Sequence, residues 1–149
     1  MVKEDSLIAV LQKYDEFINL KLKPNLKIVL DRRDSVLNSL SEYQKLKIQI
    51  ESIQTNKLTE LKTLVDLGSQ FYAQAHIQDT KYIYVNVGFE FHVQFTLEEA
   101  LVFIEKKEEQ LSRIIEKFSR EADSIRAHMK MAYEAMSEVL EAQKNEQAS

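Results

Sequence analysis

The alternation of apolar and polar residues between positions 68 and 96 constrains the fold of this chain more than any other feature. Both glycines of the 149-residue sequence, Gly68 and Gly88, lie in this stretch. Successive side chains point to opposite faces of a β-strand, so a period of two predicts strands. On either side the apolar period changes to about 3.5, which is typical of long amphipathic helices. We therefore predict a small β-region between two helical arms.

Gly68 and Gly88 are the positions at which the alternating stretch can reverse direction. We predict one hairpin over residues 64–77, with its turn at Gly68, and a second over residues 82–95, with its turn at Gly88. An isolated two-stranded hairpin is marginally stable in water, and nothing else in the chain is predicted to cover the aromatic faces of these strands. We therefore expect neighbouring chains to cover them, because a contiguous exposed apolar patch usually marks an interface.

This predicted assembly surface consists of aromatic and aliphatic strand residues and one turn glycine. Its members are Phe71, Tyr72, Tyr82, Tyr84, Val85, Val87, Gly88, Phe89, Phe91, Val93 and Phe95. In the alternative interpretation, the aromatic residues of the second hairpin form a local core of the hairpin pair.

The first helical arm is predicted over residues 6–62. Pro24 lies inside it, where it removes one backbone hydrogen bond and clashes with the preceding turn, at a cost of about 3 kcal/mol. The sequence predicts a kink or a short break near Lys23, and both outcomes stay open. Beyond this point the apolar residues of a 3-4 repeat are Leu26, Val29, Val36, Leu40, Tyr43, Ile50, Leu61 and Leu64, and the polar residues at seam positions are Arg33, Lys47, Gln54 and Lys57.

The second helical arm is predicted over residues 96–145. Thr96 and Glu99 match a capping box, T-x-x-E, which marks the first turn of a helix. A strict 3-4 repeat over about six heptads then predicts a left-handed coiled coil. Its seam positions are Leu97, Leu101, Ile104, Glu108, Leu111, Ile115, Phe118, Ala122, Ile125, Met129, Ala132, Met136 and Val139.

These elements together predict an α+β fold that is mainly α. A single domain, residues 1–149, contains two long helices that form an antiparallel coiled coil, joined by two β-hairpins over residues 63–95. Two glycines, one proline and 30% charged residues agree with long helices and few loops.

Composition also excludes several classes of function. The absence of cysteine excludes a disulfide framework and thiolate chemistry and suits a reducing compartment. No apolar run reaches the roughly 20 residues of a membrane span, and the first residues lack a signal-peptide core. A net charge of −4 argues against direct nucleic-acid binding. We expect a soluble intracellular protein with no membrane partner.

The polar residues match no catalytic or metal-binding motif. His76, His92 and His128 are far apart in the sequence and have no cysteine beside them, so no metal and no cofactor is predicted. The acidic pairs lie on helices rich in Lys and Arg and are interpreted as solvated faces and cap charges. An enzyme is therefore the least favoured interpretation.

The ends of the arms far from the hairpins carry a second group of apolar residues. Methionine is flexible and polarizable and suits promiscuous contacts, although Met129 and Met136 also fit as filler of the coiled coil. The residues predicted to contact partners at these ends are Leu7, Ile8, Leu11, Phe17, Ile18, Met131, Met136 and Leu140.

Five segments in order resemble the α-type prefoldin family: YDEFI (14–18), VLDRRDSV (29–36), VDLGSQFY (65–72), DTKYIYVNVGFEF (79–91) and LEEALVFIEKK (97–107). The chain departs from the family at the second turn, where typical α-type members have G-T-G-Y. Here the four residues are Gly88, Phe89, Glu90 and Phe91. This departure suggests a different turn type and different assembly partners.

The resemblance implies partners and a function. Such proteins assemble as hexamers of α-type and β-type subunits, whose hairpins form a double β-barrel body and whose coiled coils hold non-native client proteins at their tips. One branch of the family instead belongs to a prefoldin-like assembly associated with an AAA-ATPase co-chaperone, and is linked to transcription regulators and centrosomes. We therefore expect an ATP-independent chaperone or co-chaperone subunit in the cytoplasm, with nuclear and centrosomal locations also implied.

The alternative function is that of a transcriptional co-regulator or scaffold whose helical arms dock regulators. Deletion of residues 68–95 distinguishes the two functions. A scaffold that docks its partners along the arms would keep them, whereas an assembly subunit would lose them.

Overall fold

The computed structural model of this chain describes residues 2–147, with side chains for residues 7–144. Its elements in chain order are helix α1 (Val2–Phe17), a π-helical turn (Ile18–Leu22), helix α2 (Lys23–Thr55), strands β1 (Leu61–Asp66), β2 (Tyr72–Ile77), β3 (Tyr82–Gly88) and β4 (Phe91–Thr96), and helix α3 (Leu97–Gln147). Strand β1 pairs with β2 and β3 pairs with β4, both antiparallel. The predicted fold class is confirmed, since two small antiparallel hairpins lie between long helical segments in a mainly helical chain.

These elements form two compact units. The hairpin unit, Asn38–Ser112, contains both hairpins, the second part of α2 and the start of α3. The terminal unit comprises Met1–Leu37 and Arg113–Ser149. Each unit has a small hydrophobic core of its own.

In the hairpin unit, α2 and α3 run antiparallel. Lys47 Nζ lies 3.4 Å from Glu108 Oε2, and further along α2 the side chain of Ile50 packs with Ala100 and Ile104, which precede Glu108 in α3. All three apolar side chains are almost fully buried. Removal of this apolar surface from water stabilises the pairing of the two helices.

In the terminal unit, the core forms around the π-helical turn. Ile18 and Leu22 pack against Ala132 of α3. Half-buried side chains of both helices surround them, among them Met129 and Met136. These two methionines therefore fill the helix interface, as the coiled-coil interpretation predicts.

The coiled-coil seam predicted for α3 is confirmed. Every one of its thirteen positions from Leu97 to Val139 is buried or half-buried, including the polar residue Glu108. A 3-4 repeat keeps one stripe of the helix facing its neighbour. In the hairpin unit this stripe packs against α2, and in the terminal unit it packs against α1 and the π-helical turn.

Pro24 is accommodated without ending the helix. The backbone N–H of Lys23 donates to the carbonyl of Ile18, five residues earlier, so the turn before the proline is a π turn. A proline in regular α-helix would clash with the carbonyl four residues before it, here that of Leu20. A wider turn relieves that clash, and α2 continues from Lys23.

Helix α2 ends at Thr55, so the prediction that the first arm extends to residue 62 is wrong. The N–H of Lys57 donates to Gln54 O at 3.1 Å, and the N–H of Leu58 donates to Ile53 O at 3.0 Å. With Lys57 at φ 50°, this pattern is a Schellman motif, which stops a helix. Leu61 and Leu64, predicted on the helical seam, lie in strand β1 instead.

Helix α3 begins with the predicted capping box. The hydroxyl of Thr96 accepts a hydrogen bond from Glu99 N at 3.2 Å, and Glu99 Oε2 accepts one from Thr96 N at 2.9 Å. These bonds satisfy two backbone donors that the first helical turn would otherwise leave unpaired. The backbone and hydroxyl hydrogen bonds from Thr96 lower the pKa of the Glu99 carboxyl.

Candidate assembly surface on the β-hairpins

Both hairpins reverse direction through the same backbone turn. The central residues of the first turn, Ser69 and Gln70, have φ angles of 50° and 64°. The central residues of the second turn, Phe89 and Glu90, have the same angles. Positive φ at both central positions is typical of the type I′ turn, whose twist matches that of the flanking strands.

A glycine precedes the central residues of each turn, and an acidic or amide side chain holds it. The N–H of Gly68 donates to Asp66 Oδ1 at 2.8 Å, and the N–H of Gly88 donates to Asn86 Oδ1 at 2.9 Å. The φ angles of the glycines, 91° and 121°, lie in the left-handed region that a side chain disfavours. The similar sequences VDLG (65–68) and VNVG (85–88) therefore form the same kind of turn in the two hairpins.

One face of the first hairpin is mostly apolar, and it is exposed to solvent near the turn, whereas Leu61, Ala73 and Ala75 are half-buried. Cross-strand partners share a face, and β1 pairs Val65 with Ala73. The N–H of Leu67 donates to Phe71 O at 2.8 Å, which extends the pairing to two residues that are 67% and 73% exposed. The apolar side chains of this face, named here the open face, are Leu61, Val65, Leu67, Phe71, Ala73, Ala75 and Ile77.

The second hairpin has one covered face and one exposed face. Val85 is only 2% exposed and packs in the core formed by α2 and α3, and the ring of Phe95 stacks on Phe103 with centroids 5.4 Å apart. The opposite face carries Tyr82 and Tyr84, both exposed. Helices of the hairpin unit thus cover this hairpin on one side only.

The structure therefore corrects one expectation about the strands. We predicted that no layer within the chain covers their aromatic faces, and this is wrong for the inner face of the second hairpin. Val85 belongs to the core of the chain itself, and Phe95 is half-buried against α3, since α3 starts directly after β4 and packs beneath it. Phe95 thus packs against a helix of its own chain, which differs from both the assembly interpretation and the interpretation as a local core of the hairpin pair.

The other predicted assembly residues lie at the surface or close to it. Val87 and Gly88 are half-buried. The exposed members of the set are Phe71, Tyr72, Tyr82, Tyr84, Phe89, Phe91 and Val93. Their part in contacts with other subunits stays a prediction.

Of the seven apolar residues of the open face, only Phe71 belongs to the predicted assembly surface. Val65 and Leu67 flank the polar residue Asp66 and fall within the predicted first hairpin, but the predicted helical seam also includes Leu61 and Leu64 just before them. The alternation of Leu61, Thr63, Val65 and Leu67 was the signal that could have identified β1 in full.

The linker between the two hairpins is held against the segment between α2 and β1. Thr80 is largely buried, its Oγ1 donates to Leu58 O at 2.5 Å, and its N–H donates to Thr59 O at 3.3 Å. Nearby, His76 Nε2 lies 2.9 Å from Glu60 Oε2. These contacts connect the first hairpin to the segment that follows the Schellman motif.

The residues predicted to contact partners at the helix ends all lie in the terminal unit. Ile8, Phe17, Met131 and Leu140 are exposed, whereas Leu7, Leu11 and Met136 are half-buried. Ile18, the first residue of the π turn, is 1% exposed and packs in the core of that unit with Leu22 and Ala132. The prediction that Ile18 contacts a partner is therefore wrong.

The described side chains form no arrangement with obvious chemistry. Within residues 7–144, no group of three or more His, Asp and Glu residues could hold a metal ion. In the described part of the chain, no helix combines the length and the apolar character of a membrane span. What the surface does offer is exposed apolar area on the hairpins.

Known proteins are similar to this chain in sequence and in fold. The prefoldin family model, described as a prefoldin subunit, matches residues 22–142. A protein UXT homolog of Nematostella vectensis is 39% identical over 131 residues, 87% of this chain and 82% of that protein. Protein UXT of Homo sapiens is 37% identical over 127 residues, 85% of this chain and 81% of that protein. A cryo-EM structure of filamentous PFD from Methanocaldococcus jannaschii matches with a TM-score of 0.50 at 16% identity, over 85% of this chain and 93% of that one, which shows a common fold.

Proposed function

The chain belongs to the prefoldin family, and from that membership we propose that it is a UXT-like, α-type subunit of a hetero-oligomeric, ATP-independent chaperone complex. In this proposal, other prefoldin-type subunits of α and β type complete its hairpins, and non-native proteins are the clients. The chain itself catalyses no reaction, and its contribution is the surface that it offers to these partners.

The open face of the first hairpin is the observation that carries this proposal. It presents adjacent apolar side chains to solvent, with Leu67 and Phe71 at least two-thirds exposed. Each described strand also belongs to a two-stranded sheet and so keeps one unpaired edge. Exposed apolar faces and free edges promote association, and a partner subunit that adds strands would satisfy both.

Client holding would depend on several weak contacts made at once. The exposed apolar residues of the terminal unit, such as Phe17 and Met131, each offer a small area. Within an oligomer, many such arms would act together, and linked weak contacts give an apparent affinity far above that of each one. No nucleotide is needed for holding of this kind.

Assembly is tested by co-expression of the tagged full chain with prefoldin-type subunits of its own organism, followed by native mass spectrometry. Leu67→Ser should reduce assembly, because Leu67 lies on the open face. Leu64→Ser is the matched control, since Leu64 is 66% exposed, against 67% for Leu67, but pairs with Gln74 on the opposite face. Equal assembly of both variants and the wild type would contradict this role of the open face.

Client holding is tested on the assembled complex. Removal of residues 1–13 and 133–149 from this chain should weaken suppression of aggregation of a denatured model client, measured by light scattering. Complete loss of suppression is not expected, because the other subunits keep their arms. Suppression equal to that of the intact complex would exclude a contribution from the ends of this subunit.

A further inference from the structure

The outer edge of strand β1 is exposed along most of its length. Strand β1 pairs with β2 on one side, and no other described strand pairs with it. The side chains from Lys62 to Leu67 are all exposed. An exposed strand edge offers unpaired backbone N–H and C=O groups to a strand of another molecule. The β1 edge, defined here as the outer edge of Leu61–Asp66, is therefore a surface to which a further strand can be added.

The hairpin turn shows which residues of β1 direct their backbone groups to this edge. The N–H of Leu67 donates to Phe71 O, so the backbone of Leu67 faces β2. In an antiparallel pair, alternate residues direct their N–H and C=O groups to the partner strand. Every second residue from Leu67 back to the start of β1 therefore bonds to β2. The residues between them are Lys62, Leu64 and Asp66, and their backbone groups point to the outer edge.

These outward residues are complementary to themselves when two copies of β1 run antiparallel. With Leu64 opposite Leu64 of the second copy, Lys62 lies opposite Asp66 of that copy. The twofold symmetry repeats this ion pair on the other side of the leucine contact. On the opposite face of the sheet, Leu61 of each copy lies opposite Leu67 of the other. Opposite charges and apolar side chains thus meet their own kind of partner in a single register.

The two charges select this register among those that the backbone allows. A displacement by an odd number of residues would place outward backbone groups opposite groups that already bond to β2. A displacement by two residues leaves Lys62 and Asp66 without an opposite charge across from them. A displacement by four places Lys62 opposite Lys62 in one direction and Asp66 opposite Asp66 in the other. Like charges directly opposite each other destabilise a strand pair.

The hairpin itself does not require either charge. Lys62 faces His76 across the hairpin and lies about 13 Å along the strand from Asp66, too far for an ion pair within β1. Asp66 Oδ1 accepts a hydrogen bond from Gly68 N at 2.8 Å, but in the second hairpin Asn86 makes the equivalent bond without a charge. In the part of the chain that the structure describes, Asp66 Oδ2 has no partner and is left for a cation of another molecule.

We propose that two copies of this chain pair antiparallel through their β1 edges, in the register that places Lys62 opposite Asp66. This contact goes beyond the proposed function, since it assigns one strand edge to a second, identical chain. The two first hairpins form one four-stranded sheet, in the order β2-β1-β1-β2, with their open faces on the same side. The contact closes at two copies, because each copy uses its β1 edge once. The β2 edges stay available to other subunits.

Single cysteines test the register, since the wild-type chain has no cysteine. Leu64→Cys in the full-length chain should form a disulfide-linked dimer in a glutathione redox buffer. The reason is that a hydrogen-bonded antiparallel pair places its Cα atoms about 5.5 Å apart, within disulfide range. Absence of this dimer on a non-reducing gel would overturn the pairing.

Gln74→Cys is the matched control for this cross-link. Gln74 is also exposed and lies opposite Leu64 within the hairpin, but it belongs to β2. In the proposed sheet the two copies of Gln74 are about 14 Å apart, which is too far for a disulfide. Cross-linking of Gln74→Cys equal to that of Leu64→Cys would mean random collision, and stronger cross-linking would identify β2 as the self-pairing edge. Either result would overturn the proposal.

Exchange of charge between two copies tests the ion pairs. Lys62→Glu should weaken self-association of the full-length chain about tenfold in analytical sedimentation, because both contacts become repulsive. Asp66→Lys should weaken it similarly. A mixture of the two variants should associate about as tightly as the wild type, because each contact then joins opposite charges. A mixture no tighter than either variant alone would overturn the register.

Asp66→Asn distinguishes an attractive charge from a protective one. It keeps a hydrogen-bond acceptor for Gly68 N, as Asn86 does for Gly88 N, so the turn is preserved. Self-association should weaken about threefold, because each of the two ion pairs loses one partner. Charges that only protect a strand edge oppose pairing, and their removal strengthens it. Stronger self-association of Asp66→Asn would therefore overturn the proposal.

The β1 contact and the proposed function can fail separately. Assembly of the wild-type chain with prefoldin-type subunits, without a Leu64→Cys cross-link, would overturn the contact and leave the function intact. A cross-link without binding of any such subunit would do the reverse. Loss of the cross-link when a non-identical subunit is added would assign the β1 edge to that subunit, and overturn a second copy as its occupant in the complex.

Discussion

Lys47 and Glu108 form an ion pair within the helix interface of the hairpin unit, with Nζ and Oε2 3.4 Å apart. Both residues occupy seam positions that apolar residues normally fill in a coiled coil. Their side chains are 37% and 21% exposed, so water screens the pair only in part. A polar pair in an apolar seam favours the register that brings its two members together.

Reversal of one charge in this pair should destabilise the chain. Lys47→Glu would place two carboxylates together in the seam and should lower the free energy of unfolding by about 1–2 kcal/mol, between the values for surface and fully buried pairs. The double variant Lys47→Glu, Glu108→Lys should recover most of this loss. Urea unfolding of the wild type, both single variants and the double variant measures the coupling energy.

Lys45→Glu is the control for this prediction. Lys45 lies 2.7 Å from Glu42, but both side chains are about two-thirds exposed or more. Charge reversal there should cost less than about 0.5 kcal/mol. Equal losses of unfolding free energy for Lys45→Glu and Lys47→Glu would mean that the seam location does not strengthen the Lys47–Glu108 ion pair.

The periodicity of the sequence was enough to predict α3, the two hairpins and their turns. It could not show which hairpin face the helices cover, because alternation separates the residues into two faces without showing which face is buried. Val85 and Tyr84 both fit a strand, yet only Val85 meets Ile50 and Ile104. That outcome depends on the path of α3 after β4, which is a tertiary property.

Val85→Ala should therefore reduce stability, whereas its cross-strand partner should tolerate the same change. Val85 is 2% exposed and Val93, which pairs with it, is 40% exposed. The buried substitution should cost about 2 kcal/mol through lost packing and a residual cavity, and Val93→Ala less than about 0.5 kcal/mol. Thermal unfolding of the isolated chain provides the comparison, and similar Tm values for both variants would contradict the burial of Val85 in the core of the hairpin unit.

The sequence does not indicate where α2 ends, because the residue that stops the helix is not the usual glycine. Helices often end with glycine in the left-handed conformation, but here Lys57 has that conformation, with φ of 50°. Lysine is a good helix former, so nothing in the 3-4 repeat marks the end of the helix at Thr55. The π turn was similarly hidden, since Pro24 indicates a disturbance without showing that a wider turn absorbs it.

Lys57→Gly should stabilise the chain, because glycine has no Cβ and adopts positive φ without the crowding that the lysine side chain causes. The expected gain is about 0.5–1 kcal/mol in the free energy of unfolding. Gln54→Gly, three residues earlier within the helix, should lower it by about 1 kcal/mol. Urea unfolding of the two variants would contradict the Schellman motif if both substitutions changed stability in the same direction.

The capping box of α3 should make the start of this helix sensitive to acid. Hydrogen bonds from Thr96, first that of its backbone N–H and then that of its hydroxyl, lower the pKa of Glu99 in the folded chain. A carboxyl whose pKa is lower when folded contributes stability above its unfolded pKa, and loses that contribution as the pH falls through its folded pKa. The first turn of α3 should therefore loosen at acidic pH.

NMR titration of the Glu99 carboxyl carbon tests this prediction. Thr96→Ala removes the hydroxyl but keeps the backbone donor, so the titration midpoint of Glu99 should rise part of the way towards the ordinary value for glutamate. Glu99→Gln should reduce the difference in Tm between neutral and acidic pH, because the side chain at position 99 no longer titrates. An unchanged midpoint in Thr96→Ala, together with an unchanged pH dependence in Glu99→Gln, would show that the capping box does not couple Glu99 to the helix start.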